Sequence, residues 1–459
     1  MACPQLLQKM PGPRVPSVMQ VLRWLIEASF YQRMANRYGE VFRLKFPFWG
    51  NVVGFTTGQA AQQIFKLSPK VAHSGMFAIR EGLGPQAVML LNGDEHLRMR
   101  KLLTPLVLGS RLKRWEDFIE CRTREEIAQW PVGTPFAIGP IADQITLDVI
   151  AKIVFGMRDA TRGKELRELL PKLYDMYVLV AFGFGHPIGR LDLGRWSPWG
   201  RYRRTRDRID ELLYSEISLR REEFTRSDQS EHDTEVTGER DDLLSVLLLC
   251  RDENGIGLTD AEVRDQLVAM LLAGHETTAT AIAWAVERLV RNPRVLRRLM
   301  VSLERGETDY MDAVIKETLR SRPPVLGVPR LLAQDATIDG WELPAGTTVG
   351  LALPVLHHDA AVYPEPEQFR PERFLNGNDP GPGAWLPFGG GMRRCPGANM
   401  AFFEMRVVLT TILRHVRLAP DRPEPEKPVN YHVITVPDRG GRVVVIERLT
   451  DPAAQPLSP

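Results

Sequence analysis

The stretch LVAMLLAGHETTATAIAWAV, residues 267–286, constrains the fold more than any other part of the sequence. It has helical spacing but is apolar on every side, and a helix without a polar face must be surrounded by protein. With its flanks it predicts one helix over 259–292, roughly 45–50 Å long at about 1.5 Å per residue, enough to cross an entire domain. Near its centre Gly274, His275, Glu276, Thr277 and Thr278 interrupt the apolar run. Burying an unpartnered polar group costs about 1–3 kcal/mol and a charge costs more, so this local conflict marks a place to look for function.

The chain around it reads as mainly α with smaller β regions. Helical patterns cover 19–38, 112–130, 138–156, 200–223, 241–251 and 398–416; strand-like pieces lie at 40–46, 51–55 and 440–449, and a turn at 339–346. Residues 225–242 form a charged, Ser/Thr-bearing loop. With 59 basic against 57 acidic residues the net charge is +2, which gives no reason to expect a nucleic-acid partner. Cys3, Cys121, Cys250 and Cys395 are far apart and form no CxxC pair, so a disulfide scaffold is excluded and no cysteine pair is spaced as in a zinc or iron–sulfur site. No apolar run approaches the roughly 18 residues of a spanning helix, and the first residues are too polar for a signal peptide. The expectation is a soluble, cytoplasmic protein without a transmembrane anchor.

Cys395 stands apart from the other cysteines because PFGGGMRR precedes it. A cysteine binds metal as the thiolate, so its pKa has to fall below about 8.5. Arg393 and Arg394 place positive charge beside it, and Pro396 at a first helical position would put it at a helix N-terminus. The glycines at 389–391 and Gly397 would let the backbone approach something large and flat. One thiolate without companion ligands suits an iron held mostly by another scaffold, a haem. A buried structural cysteine in a glycine loop is the plain alternative.

FGGGMRRCPG resembles the haem-binding loop of the cytochrome P-450 superfamily, with Phe388, Gly391, Arg393, Cys395 and Gly397 at that family's offsets. The likeness runs in order over roughly residues 35–447. It implies a single haem domain over 1–459 in the P-450 fold, with heme b (iron protoporphyrin IX) sandwiched between the long central helix and the Cys395 loop. A β-rich lobe would comprise 40–56, 325–375 and 430–449, and an α-rich lobe 57–322 and 396–418. AGHETT at 273–278 is similar to the family's oxygen-activating segment. O–O heterolysis needs two protons in a site closed to water, and an acid followed by an alcohol, Glu276 then Thr277, can relay them. Ala273 and Gly274 would border the cofactor, Gly274 by lacking a side chain, and threonine back-bonding could open the helix locally. A packed threonine pair is the structural alternative, and His275 is expected to face away from the haem.

His96 and Arg100, at i and i+4 in GDEHLRMR, lie on one helix face and could bind a carboxylate. By the resemblance they hold a haem propionate, with Arg330 and Arg393 completing the contacts; a solvated basic face is the alternative. Glu317 and Arg320 in KETLR would join Arg373 of PERF in a structural triad. The apolar segments 76–90, 175–189 and 325–329 could wall a pocket for a lipophilic substrate such as a fatty acid, terpenoid or sterol-like ring, or could be core.

The resemblance implies a monooxygenase that uses O2 and hydroxylates or epoxidises such a molecule. Without a GxGxxG fingerprint or a cysteine cluster, electrons would come from an external donor, a ferredoxin with its NAD(P)H reductase. Arg394, Arg406, Arg414 and Arg417 could meet an acidic partner or simply be solvated. A peroxide-dependent or rearranging haem-thiolate enzyme and a non-enzymatic haem sensor are the competing readings.

Overall fold

The computed structural model describes residues 7, 9–47, 49–76, 80–104, 112–156, 160–183, 192–229, 242–378 and 380–449. The first elements are α1 (Ser17–Ile26), α2 (Phe30–Tyr38), β1 (Val41–Phe46), β2 (Gly50–Phe55), α3 (Gly58–Lys66) and β3 (Ala72–Ser74). Then come α4 (Gly93–Leu103), α5 (Glu116–Gln129), β4 (Phe136–Ala137), α6 (Ile138–Phe155), α7 (Ala160–Gly183), α8 (Pro198–Gln229) and α9 (Leu243–Leu249). The apolar centre of the sequence forms α10 (Asp260–Gly274) and α11 (Glu276–Arg291), followed by α12 (Pro293–Glu304) and α13 (Asp309–Ser321). Strands β5 (Gly327–Leu332), β6 (Ala336–Ile338), β7 (Trp341–Leu343) and β8 (Thr348–Ala352) precede α14 (Ala398–His415). Strands β9 (Val416–Pro420), β10 (Pro428–Tyr431), β11 (Ile434–Pro437) and β12 (Arg442–Arg448) end the described chain.

Two compact units divide these elements: Met1–Ala72, Leu112–Thr146 and Glu276–Pro459 form one, His73–Arg111 and Leu147–His275 the other. In the first, β1 and β2 make an antiparallel pair, β2 runs parallel to β8, and β8 pairs antiparallel with β5. Phe55, Ile64, Val349 and Leu351 are buried where this sheet meets α3. Helix α11 packs on α13 and α14 within the same unit. The pattern over 19–38 is two helices rather than one. Glu27 is extended between α1 and α2, and Trp24 Nε1 donates to Tyr31 Oη at 3.0 Å. Apolar spacing alone cannot distinguish one helix from two that fold back on each other.

Glu404 of α14 is 2% exposed, and burial pushes its carboxyl well above the usual range. The folded chain therefore keeps this proton at pH values where the unfolded chain releases it. Stability should fall as pH rises beyond the unfolded value, by up to about 1.4 kcal/mol per unit. Glu404→Gln is expected to lack that loss. Urea titrations at pH 5 and 7 should show the variant gaining on the parent as pH rises, and a constant difference would contradict this.

The second unit is an all-helical core in which Leu103, Leu173, Ile209, Leu213, Leu244, Leu267 and Val268 are fully buried. Helix α10 starts with a capping box: Thr259 Oγ1 accepts from Glu262 N–H, and a Glu262 carboxylate oxygen accepts from Thr259 N–H. Its next residues, Arg264, Asp265 and Gln266, are buried and polar. Arg264 Nη1 donates to Leu83 O at 3.0 Å, Asp265 Oδ2 accepts from Gln86 N–H at 2.8 Å, and Gln266 Oε1 accepts from Val88 N–H at 2.9 Å. Gly84, at φ +91°, leaves room for Asp265, whose carboxylate would sit 2.0 Å from a Cβ. These bonds pin the described part of segment 76–90 to α10.

The single helix expected over 259–292 is interrupted at His275. His275 is 3% exposed, and its Nδ1 lies 2.7 Å from Leu271 O. A side chain that takes the carbonyl four residues back competes with the backbone ladder and opens the helix. The histidine supplies this competition here, one turn beyond Leu271.

Candidate active site

Cys395 stands on a loop closed over its own short span. Its backbone N–H donates to Phe388 O at 2.9 Å, and Gly389 N–H donates to Leu386 O at 2.9 Å. Gly389 and Gly391 have φ of +65° and +63°, where any side chain would be strained. At Gly390 a Cβ would come within 2.5 Å of the Phe65 ring, and at Gly391 within 2.5 Å of the Phe65 carbonyl oxygen. These glycines make the turn and seat Phe65 of α3, a use that the sequence pattern does not reveal. Gly397 borders the sulfur: a Cβ there would lie 4.0 Å from Cys395 Sγ. Helix α14 begins at Ala398 with Gly397 as N-cap, so Pro396 lies in the preceding turn instead of at the first helical position. Cys395 is exposed, while Leu386 and Ala398 on either side of the loop are buried.

Beneath this loop lies a fully buried ion pair. Arg320 Nε and Nη2 donate to Glu317 Oε2 and Oε1 at 2.7 and 2.9 Å, and its Nη1 and Nη2 donate to His357 O and Pro366 O at 2.8 and 2.7 Å. Glu317 Oε1 also accepts from Arg370 N–H at 2.8 Å and lies 3.5 Å from Arg373 Nε. Each charge is answered, as a buried pair requires. Trp385 Nε1 donates to Lys316 O at 3.1 Å, and its ring packs edge-on against Phe374, Phe388 and Phe402.

Arg330 on β5 is 8% exposed, and burial pushes its guanidinium down to about 10, helped by the charge of Arg393. Burial likewise pushes Arg393 down to about 10. Two desolvated like charges held near each other call for an anion. In the same unit Glu276 and Thr277 open α11, directly after the helix interruption.

The second unit holds the remaining sequence-derived residues. His96 is buried, and Arg100 follows one turn later on α4. Arg98 of that helix binds Asp252 and Glu262 at 2.7 and 2.9 Å, and the largely exposed Lys101 lies 2.6 Å from Glu253, so both cations have acidic partners. Ala273 and Gly274 end α10, and a Cβ on Gly274 would lie 3.1 Å from Ile150 Cδ1. The absent side chain thus makes room for Ile150.

Residues 7–445 match the family model described as Cytochrome P450. The chain belongs to the cytochrome P450 family. Cytochrome P450 135B1 of Mycobacterium bovis is 37% identical over 444 residues, covering 95% of this chain and 91% of that one. Cytochrome P450 138 of the same organism is 33% identical over 447 residues, covering 97% and 98%. A solved structure, retinoic acid bound cyanobacterial CYP120A1, is similar with a TM-score of 0.82 and 25% identity over 96% of this chain and 99% of that one. This P450 is an oxidoreductase with a haem-thiolate cofactor. The residues present fit that group: an exposed sulfur on a loop closed by its own backbone hydrogen bonds, and the desolvated pair Arg330 and Arg393 for two carboxylates. No helix among the described residues is long and apolar enough to cross a membrane.

Of the segments expected to wall a substrate pocket, 184–189 and 77–79 lie outside the described residues; of the charged loop expected over 225–242, residues 230–241 do too, while 225–229 continue α8. Val325 is 38% exposed, and Leu326 beside it is buried. Among the arginines expected to meet a partner or be solvated, Arg406 binds Asp312 at 2.8 Å, and Arg394, Arg414 and Arg417 are exposed, Arg417 lying 3.3 Å from Glu447.

Proposed function

We propose that this P450 is a monooxygenase that inserts one oxygen atom of O2 into a C–H bond or alkene of a lipophilic molecule. A fatty acid, a terpenoid or a sterol-like ring fits the apolar segments 76–90 and 325–329. The retinoic acid of the cyanobacterial relative, itself a lipophilic acid, supports that class. A ferredoxin with an NAD(P)H reductase would supply electrons. The observation that carries this reading is the acid–alcohol pair Glu276–Thr277, placed at the first turn of α11 beyond a helix interruption.

In this reading Cys395 holds the iron, and His96, Arg100, Arg330 and Arg393 hold the propionates. Ala273, Gly274, Phe388 and Gly397 border the macrocycle. Bound there, the haem supplies reductive activation of O2, with the thiolate favouring O–O cleavage. The Thr277 hydroxyl, at once donor and acceptor, hands on a proton, and Glu276 restores it from the water side. Glu317, Arg320 and Arg373 act only by holding the loop.

Turnover of a lipid panel with a surrogate ferredoxin system under ¹⁸O₂ should give product with one labelled oxygen. Product only with added peroxide would favour a peroxide-using enzyme, and none by either route a sensor. Thr277→Ala is expected to bind substrate normally while product per NAD(P)H falls at least about tenfold and hydrogen peroxide appears instead. Unchanged coupling would remove Thr277 from the relay.

A further inference from the structure

His357 faces two ways. It is fully buried, and its backbone oxygen accepts from Arg320 Nη1 at 2.8 Å. Its ring Nε2 lies 2.9 Å from the backbone nitrogen of Leu386 and accepts that N–H. A neutral imidazole whose Nε2 accepts carries its proton on Nδ1. Burial, reinforced by His358 and Arg320, pushes the ring down to about 3, so it stays neutral across the physiological range. Leu386 is in turn bound through its carbonyl to Gly389 N–H, and Phe388 O takes the N–H of Cys395. A continuous series of hydrogen bonds thus leads from the Glu317–Arg320 pair through His357 to the start of the cysteine loop.

We propose that His357 is a positioning residue: anchored by Arg320, its ring fixes Leu386 and thereby where the Cys395 sulfur is presented. A ring that merely filled space would tolerate an apolar replacement of similar size. This placement rests on the chain being a haem-thiolate protein, and it holds whichever substrate the enzyme takes.

The test compares His357→Leu, which cannot accept a hydrogen bond, with His357→Gln, whose amide oxygen can reach the place of Nε2. Two readouts are taken on haem-loaded protein: exchange of the Leu386 amide by nitrogen-15 NMR on the diamagnetic ferrous carbon monoxide complex, and the share of that complex with the Soret band of thiolate ligation. In the leucine variant Leu386 should exchange about tenfold faster or more, and the thiolate-type share should drop. Glutamine should restore both towards the parent. Full protection and a full thiolate-type band in the leucine variant would overturn the proposal, and so would equal loss in both variants. If the leucine variant fails to fold, the glutamine variant decides: parental values support the proposal, and haem-loaded protein without the thiolate-type band overturns it. Failure of the parent itself to show that band would count against the haem-thiolate reading instead.

Discussion

Arg320→Ala and Glu317→Ala are each expected to yield protein that carries no haem. Arg320 makes four hydrogen bonds from a completely buried position, two to Glu317 and one each to His357 O and Pro366 O. Removing it leaves the Glu317 carboxylate buried with Arg370 N–H and an Arg373 guanidinium 3.5 Å away. An uncompensated buried charge costs about 3–5 kcal/mol, a large part of the roughly 5–15 kcal/mol that holds a domain together. The loss falls on the segment that carries His357 and Leu386, so the cysteine loop should lose its footing first. Haem content by pyridine haemochrome and urea unfolding check this together. Normal haem loading in both variants would show that the pair does not support the loop.

Cys395→Ala should behave in the opposite manner, abolishing the thiolate-type carbon monoxide spectrum and turnover while barely changing the stability of the apoprotein. The side chain is exposed, and the bond from its backbone N–H to Phe388 O survives in alanine. Exposed substitutions of this kind stay within about 0.5 kcal/mol. Circular dichroism and urea midpoints of apoprotein would establish the intact fold, and the ferrous carbon monoxide spectrum the lost ligand. Persistence of the thiolate-type band would transfer the iron to another residue.

Much of the fold was legible because hydrophobic period reports which face a segment buries. The strands at 40–46 and 51–55 are β1 and β2, and the helix expected over 138–156 is α6. What escaped depends on particular side chains meeting across the chain. Period has no term for His275 taking the Leu271 carbonyl, so 259–292 read as one helix. Nor does it show Phe65 lying against Gly390. His357 and the trio Arg264, Asp265 and Gln266 carry no local motif; each binds a backbone group distant in sequence, and Arg264 binds the Asp210 carboxylate as well. Nor does period show that Arg406 and Arg417 have acidic neighbours in Asp312 and Glu447, neither close to them in the chain.

Apart from the contact with Phe65, the ties that hold the cysteine loop are near neighbours in the chain beside those of the sheet. The bonds of Arg320 with His357, His357 with Leu386 and Trp385 with Lys316 span 37, 29 and 69 residues. The pairing of β2 with β8, in contrast, joins Val52 to Thr348. Closing short loops demands less chain entropy, and contacts of low sequence separation tend to form sooner. During synthesis every partner of that perch has emerged before β12 exists to complete its sheet with β9. Truncating the chain before β12 therefore removes none of these bonds.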